Sequence, residues 1–285
     1  MNNKTQYVPR SSPSDANTFD ALPYAWWWKH ADSWGYEPYK SVAVPRMERG
    51  NSVERGMSHL LKNGVTATTI AEAKAIVRED FIQRRSKTRS IALAEATLDN
   101  DELAEWRDLD MYVEGIAQAL TSEIWRGAKL GKLVAEQVGV KLDILTTLAT
   151  QSWIGYIDFQ FENGCVDLKS TKGIKGAMLS DHVLQTAFYQ DALGGNLPQH
   201  CLYVAPVGLT PKGNVSKAKS WSLVRLSDDK HASGASRRPA LATAMAAIYQ
   251  MDTRMSKLMC IPRDPTQFRW DDELRNRAKK EWGIV

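Results

Sequence analysis

The chain has 285 residues, 43% of them hydrophobic and 25% charged, which fits one large globular domain, or a core with an appended region, and enough apolar side chains for a sizeable interior. A net charge of +4 is permissive of nucleic acid and says little more. Three scattered cysteines, Cys165, Cys201 and Cys260, exclude a disulfide framework or zinc ribbon and suit a reducing cytoplasm, while no apolar run nears the roughly 18 residues of a membrane span and the polar N-terminus lacks a signal-peptide core.

Residues 1–20, rich in Ser, Asn and Pro, read as a disordered tail. Residues 21–130 read as mostly helical and begin with the aromatic run LPYAWWWKHADSWGYEPY. NSVERGMSHLLKNG predicts a helix with Ser52 as N-cap and Asn63-Gly64 as its stop. TIAEAKAIVREDFIQRR opens on Thr69-x-x-Glu72, the pattern of a capping box. Further helices are expected over 91–97, 101–107 and 109–126. After Gly131 the periodicity changes. LVAEQVGVKLDIL, QSWIGYIDFQF and GCVDLKST favour strands. SDHVLQTAFYQDAL reads as a helix stopped by Gly194-Gly195, and CLYVAPV and WSLVRLS as two more strands. A helix over 239–258 precedes Pro262 and Pro265, and DDELRNRAKKEW ends the chain as a charged helix. This order predicts an α/β fold: a mixed central sheet flanked by helices over 131–285, with a helical N-terminal elaboration.

The stretch GYIDFQFENGCVDLKSTKG places acids where a buried sheet favours valine. Asn163-Gly164 between two strand-like runs signals a two-residue type I′ hairpin. With those residues as the loop, Glu162 faces Cys165, Phe161 pairs with Val166, Gln160 with Asp167, Phe159 with Leu168 and Asp158 with Lys169. Alternation then gives Ile157, Phe159, Phe161, Val166 and Leu168 one face, a core face, and groups Asp158, Gln160, Glu162, Cys165, Asp167 and Lys169 on the other. A solvated polar face accounts for this pattern. So does a functional site, because two close carboxylates repel by about a few kcal/mol at intermediate dielectric. Lys169, or a hard divalent cation such as Mg²⁺ or Mn²⁺, relieves that repulsion.

Gly155-x-x-Asp158, a short hairpin and Asp167-x-Lys169 resemble the core motif of the PD-(D/E)XK nuclease superfamily. Gln185-x-x-x-Tyr189 resembles the Gln-x-x-x-Tyr motif of its RecB-like exonuclease branch, and a spacing of four puts both side chains on one helix face. Gly56 and His59 in RGNSVERGMSHLL resemble that branch's Gly-x-x-His motif, and Glu136 in AEQVGVKLDI its Glu-bearing first strand. These elements stand in the family's order over roughly residues 50–205. The resemblance implies a restriction-endonuclease-like fold in which His59, Asp158, Asp167 and the Leu168 carbonyl hold Mg²⁺ or Mn²⁺. In that scheme the metal polarises the scissile phosphate and acidifies the attacking water. Lys169 positions or helps deprotonate that water and screens the developing charge. Gln185 and Tyr189 orient the phosphate or the lysine, and Glu136 takes a second metal or braces the site. Many RecB-like relatives carry an iron–sulfur cluster on four cysteines. This chain has three and none in its early region, so the resemblance is to a member without the cluster.

The activity so implied is metal-dependent DNA hydrolysis at single strands or duplex ends. The implied enzyme is an exonuclease of recombination, repair or phage DNA metabolism in the cytoplasm of a bacterial or phage-infected cell. Its expected partners are DNA and a single-strand-annealing or helicase protein, with no membrane. The alternatives are a structure- or sequence-specific endonuclease on the same core, and an inactive nucleic-acid-binding module, which intact Asp158, Asp167 and Lys169 argue against.

Other positions offer DNA contacts. Trp27, in AWWWKHADSWGY, either stacks unpaired bases or belongs to a packed cluster bracing the helical region. Arg84, Arg85, Lys87 and Arg89 in RRSKTR either grip phosphates or form a solvated helix end. Lys172, and Lys212 in the loop GLTPKGNVSKAKS, extend this set, the loop reading as a flap. GAKLGKL at 127–133 lacks the spacing and the Ser/Thr of a phosphate loop.

Overall fold

A computed structural model of the chain describes residues 11–38, 45–85, 98–146, 148–206, 219–260 and 272–282. Lys87, Arg89, Lys212, the helix expected over 91–97 and most of the flap loop lie outside the described residues.

Helices come first: α1 (Pro13–Ala21), α2 (Pro23–Lys29), α3 (Pro45–Asn63), α4 (Ala67–Arg85), α5 (Asn100–Thr121) and the short α6 (Glu123–Gly127). Strands β1 (Leu133–Leu145), β2 (Thr150–Phe161) and β3 (Gly164–Ser170) follow, then α7 (Ser180–Ala192), β4 (Gln199–Val204) and β5 (Trp221–Arg225). The chain closes with α8 (Asp228–Tyr249), α9 (Thr253–Cys260) and α10 (Asp272–Trp282). The strands form one mixed sheet in sequential order β1-β2-β3-β4-β5. All neighbours are antiparallel except β3 and β4. A parallel pair needs a crossover, and α7 supplies it. The protein is thus α/β, with a five-stranded mixed sheet flanked by helices. Among the described residues no helix is long and apolar enough to cross a membrane.

Helices cover the sheet with two cores. Phe159, Phe161, Val166, Leu168, Leu202 and Val204 pack with Val53, Met57 and Leu60 of α3, Val77 and Phe81 of α4, and Tyr112, Val113 and Ile116 of α5. Trp153, Ile157 and Cys165 pack instead with Leu184, Phe188 and Tyr189 of α7, with Met245 and Tyr249 of α8, and with Trp26, Trp27 and Trp28 of α2. Ile157 therefore does not share its core with Phe159, contrary to simple alternation. The switch coincides with Gln137, bracketed in register opposite Asp158, whose φ of 50° lies in the left-handed region. Two glycines permit close approaches that bear on the site. A Cβ on Gly155 would meet the Tyr189 ring at 2.8 Å, and one on Gly56 would meet Val77 at 2.6 Å.

Several local expectations are corrected. The β2–β3 turn is Glu162-Asn163, because Phe161 pairs with Gly164, Gln160 with Cys165 and Phe159 with Val166. Neither turn residue has positive φ, so the type I′ turn is absent. The turn is held instead by the incoming chain: the Glu162 and Asn163 amides donate to the Lys132 and Leu130 carbonyls at 3.0 and 2.9 Å. Residues 11–20 are ordered rather than part of a disordered tail, and residues 1–10 lie outside the described set. The Ser11 backbone bridges to β2, accepting from Ile154 at 2.8 Å, and Ser12 caps α1. Ser52 lies inside α3, bonded to Asp80 at 2.8 Å, because α3 starts earlier than its apolar pattern suggests. At the start of α4, Thr66 and Thr69 cap each other, while Glu72 turns to His59. The two helices expected over 101–126 are mainly one, opened by a true capping box of Asp99 and Glu102.

Candidate active site

The polar residues of the β2–β3 hairpin converge at the seam between the two cores. The turn differs from expectation by one residue, so each partner shifts by two. A two-residue shift preserves faces, whereas a shift of one would have inverted them. Asp158 is half-buried on β2, and its Oδ2 accepts the Leu168 N–H at 2.9 Å. Asp167 on β3 is buried, with Cys201 of β4 as its register partner. Its Oδ2 lies 2.6 Å from the Lys169 ammonium but out of line for a hydrogen bond, and its Oδ1 meets no donor among the described residues.

Lys169 continues the network onto α7. Its Nζ donates to Gln185 Oε1 at 3.0 Å, Gln185 Nε2 donates to the Tyr189 hydroxyl at 2.7 Å, and that hydroxyl donates to the Tyr156 carbonyl at 2.6 Å. The i, i+4 spacing on one helix face makes the chain possible, and Gly155 makes room for the Tyr189 ring. Tyr189 fixes the amide of Gln185, which leaves its oxygen facing Lys169.

Electrostatics divide these groups. Burial pushes the Asp158 carboxyl well above its usual range, and repulsion from Asp167 and Glu54 pushes it further. Burial also disfavours the Lys169 ammonium, but Asp167 and Asp158 outweigh it and hold the lysine charged, above its usual range. Burial, aided by Asp167, keeps the Tyr189 phenol neutral.

Glu54 of α3 joins this group and was not expected from the sequence. Burial raises its carboxyl, as do Asp167 and Glu136. Gln137 donates its side-chain amide to Glu54, so a residue with a left-handed backbone ties α3 to β1. Strain of this kind gathers at functional sites. Glu136, one residue earlier, accepts from Ser58 at 2.8 Å and from Lys62 at 2.8 Å, the bracing arrangement. Glu54, Ser58 and Lys62 follow at four-residue intervals on one face of α3. A cleft of about 490 Å³ opens there, lined by Glu54, Ser58, Glu136 and Gln137 and by the cations Arg55, Lys62 and Arg84.

Other expected site residues stand elsewhere. His59 faces α4, its Nε2 3.0 Å from Glu72 and its Nδ1 3.3 Å from Asn63, because one step along α3 from Ser58 turns a side chain by about 100°. No hydrogen bond or ion pair joins His59 to Asp158 or Asp167 among the described residues. Trp27 is fully buried, stacked on Trp34 and donating to Ser256 Oγ at 2.9 Å, so it presents no face to a base. Arg84 is engaged by Asp80 at 2.6 Å and Arg85 by Glu102 at 2.5 Å, so both are committed within the fold. Lys172 is exposed, on the loop after β3.

No family model matches the chain, and no curated protein matches it. Among solved structures, that of SSO0001 aligns over 74% of this chain and 88% of its own, at 13% identity and a TM-score of 0.32. That likeness is too slight to carry an argument about fold or function.

A metal at this site is tested by the donors themselves. Among the described residues no three His, Cys, Asp or Glu side chains are gathered as a metal cage. The pair Asp158 and Asp167, with a donorless buried Oδ1, matches instead the habit of Mg²⁺, which keeps most of its waters and takes one or two carboxylates plus substrate phosphate. The residues present fit such an ion.

Proposed function

We propose that the chain is a metal-dependent deoxyribonuclease with a restriction-endonuclease-like core of the PD-(D/E)XK type, acting as an exonuclease. The observation that carries this reading is the pairing of two crowded carboxylates with a lysine that is itself positioned by Gln185 and Tyr189. A structural ion pair has no need of the second acid, and Asp167 Oδ1 would be left without a partner for no gain in stability.

Asp158 and Asp167, with the Leu168 carbonyl, would hold Mg²⁺ or Mn²⁺, and Glu54 adds negative charge beside that pair without completing a third carboxylate ligand. When bound, such an ion would supply Lewis-acid polarisation of the scissile phosphate and a more acidic attacking water. The Leu168 amide fixes which Asp158 oxygen is free. The Lys169 ammonium, held charged by its neighbours, stabilises the negative charge that develops on the phosphate and orients the water. Gln185 and Tyr189 keep that ammonium in place. Glu136 braces Ser58 and Lys62 beside the cleft, and Arg55 and Lys62, ion-paired but, unlike Arg84 and Arg85, more than half exposed, attract the strand. DNA metabolism in a reducing cytoplasm, beside a single-strand-annealing or helicase protein, is the setting this chemistry suits.

The test is hydrolysis of end-labelled linear DNA and of covalently closed circles, with Mg²⁺, Mn²⁺ or EDTA. The expected result is degradation of the linear substrate with either metal, none in EDTA, and intact circles. Cleavage of circles would select the endonuclease alternative, and undiminished cleavage in EDTA would remove the metal from the mechanism.

A further inference from the structure

A second cleft, of about 780 Å³, adjoins the first and shares Lys62 and Glu136 with it. Its lining combines Leu61, Leu133, Phe161 and Trp125 with the cations Lys62 and Lys132. Trp125 is half-buried in α6 and packs edge-to-face with Phe161, ring centroids 5.7 Å apart, which fixes it in the wall. The Lys132 side chain is exposed and has no ion-pair partner among the described residues, although its backbone amide is pinned by Glu162 at 2.9 Å. Lys132 belongs to the loop GAKLGKL, which the nuclease chemistry does not use. The β1 register shifts between Leu133 and Ala135, and the displaced Val134 is 60% exposed at the cleft. Bulges of this kind recur beside binding sites, where they re-aim side chains.

Aromatic and apolar walls with lysines but without carboxylates other than the Lys62-paired Glu136 complement a base with its phosphates. We propose, building on the nuclease reading above, that this cleft receives the unpaired nucleotide flanking the scissile phosphate. Its base lies against Trp125 and its phosphates meet Lys132 and Lys62. A strand running from one cleft to the other crosses the Lys62–Glu136 pair and reaches Glu54, the acid of the first cleft that acts electrostatically on Asp158. The substrate class is therefore DNA with a frayed or single-stranded end, because a paired base is not available to the cleft.

Two measurements on the full chain test this. Anisotropy of a fluorescein-labelled single-stranded oligonucleotide in EDTA reports binding without turnover. Hydrolysis with Mg²⁺ of duplexes with mismatched or fully paired ends reports the preference. Trp125→Ala is expected to weaken binding by roughly tenfold, the usual effect of removing one stacking partner, and to abolish the preference for mismatched ends. Trp125→Phe restores most of both. Lys132→Ala weakens binding less and makes it less sensitive to salt. If Trp125→Ala does not fold, the exposed Lys132 decides. Wild-type binding and salt dependence in Lys132→Ala, together with unaltered end preference in Trp125→Ala where that variant folds, overturn the proposal even if hydrolysis is intact. Loss of oligonucleotide affinity in the variants of a wild type that hydrolyses no DNA would sink the nuclease reading and leave the nucleotide cleft standing.

Discussion

Two carboxylates in apolar surroundings show what separates a structural acid from a reactive one. Asp15, in α1 beside the tryptophan cluster, is buried, yet every pull on it is answered. Ser12 and Lys29 donate to it at 2.7 and 2.5 Å, and His30 stands 3.6 Å away. Burial pushes its carboxyl up, but His30, Lys29 and Ser12 outweigh that and hold it well below the usual range. Asp158 has one amide donor, and its nearest charged neighbours include two more acids, so its carboxyl goes the other way. The first arrangement stabilises the fold. The second costs stability that only a ligand recovers, and that is the physical content of calling it a site.

The largest effect expected from this contrast is on catalysis. Asp167→Asn and Lys169→Ala should each lower DNA hydrolysis by about 10³-fold or more, on the scale of losing a preorganised electrostatic group. Circular dichroism should remain that of the folded protein. Retained activity in either folded variant would dismiss the assignment of these residues. The equivalent change on the structural side, Asp15→Asn, should leave hydrolysis untouched and reduce stability by roughly 2 kcal/mol, less than for a fully buried pair because Lys29 is half exposed. Its pH dependence follows from the depressed carboxyl. The contribution is present above the usual range near about 4 and is lost as pH falls through the lower folded value. The Tm gap between wild type and Asp15→Asn should therefore close in acid; a gap that stays constant from neutral to acid pH means Asp15 is not the ionised partner described.

The same two regions show how much the sequence discloses. The first three strands are legible to within a residue and the last two to within two or three, because period-two patterns and punctuating glycines are local. The hairpin's polar face was legible despite the wrong turn, because Asn163 and Gly164 mislead about register by two residues, and parity survives. The tail reads as disordered because α1 has little apolar periodicity. What orders it lies far away, in β2 at Trp153 and Ile154 and in α7, where Asp181 accepts from Asn17. Trp27 was ambiguous for the same reason: its burial depends on Ser256 and Lys257, more than 200 residues on. His59 carried the motif-like spacing, but the face defined by Glu54, Ser58 and Lys62 is the one that meets Glu136 and Gln137. Reading that face as a four-residue series would have found Glu54; the left-handed backbone of Gln137 had no signal in the sequence.

The smallest expected effect is the sharpest statement of the contrast. A carboxyl raised in the folded state opposes folding once ionised: stability is full below the unfolded value and declines as pH rises toward the folded one. Asp158→Asn removes that opposition and keeps an oxygen to accept the Leu168 amide. In EDTA near neutral pH it should therefore raise stability, by on the order of 1 kcal/mol, where Asp15→Asn lowers it. With Mg²⁺ or Mn²⁺ the order should reverse, since the cation stabilises only the chain that can offer it a carboxylate. Thermal denaturation of the two proteins with and without metal reads both signs. A variant less stable than wild type in EDTA would place Asp158 with Asp15 among the structural acids, and the case for a metal at this hairpin would then rest on Asp167 alone.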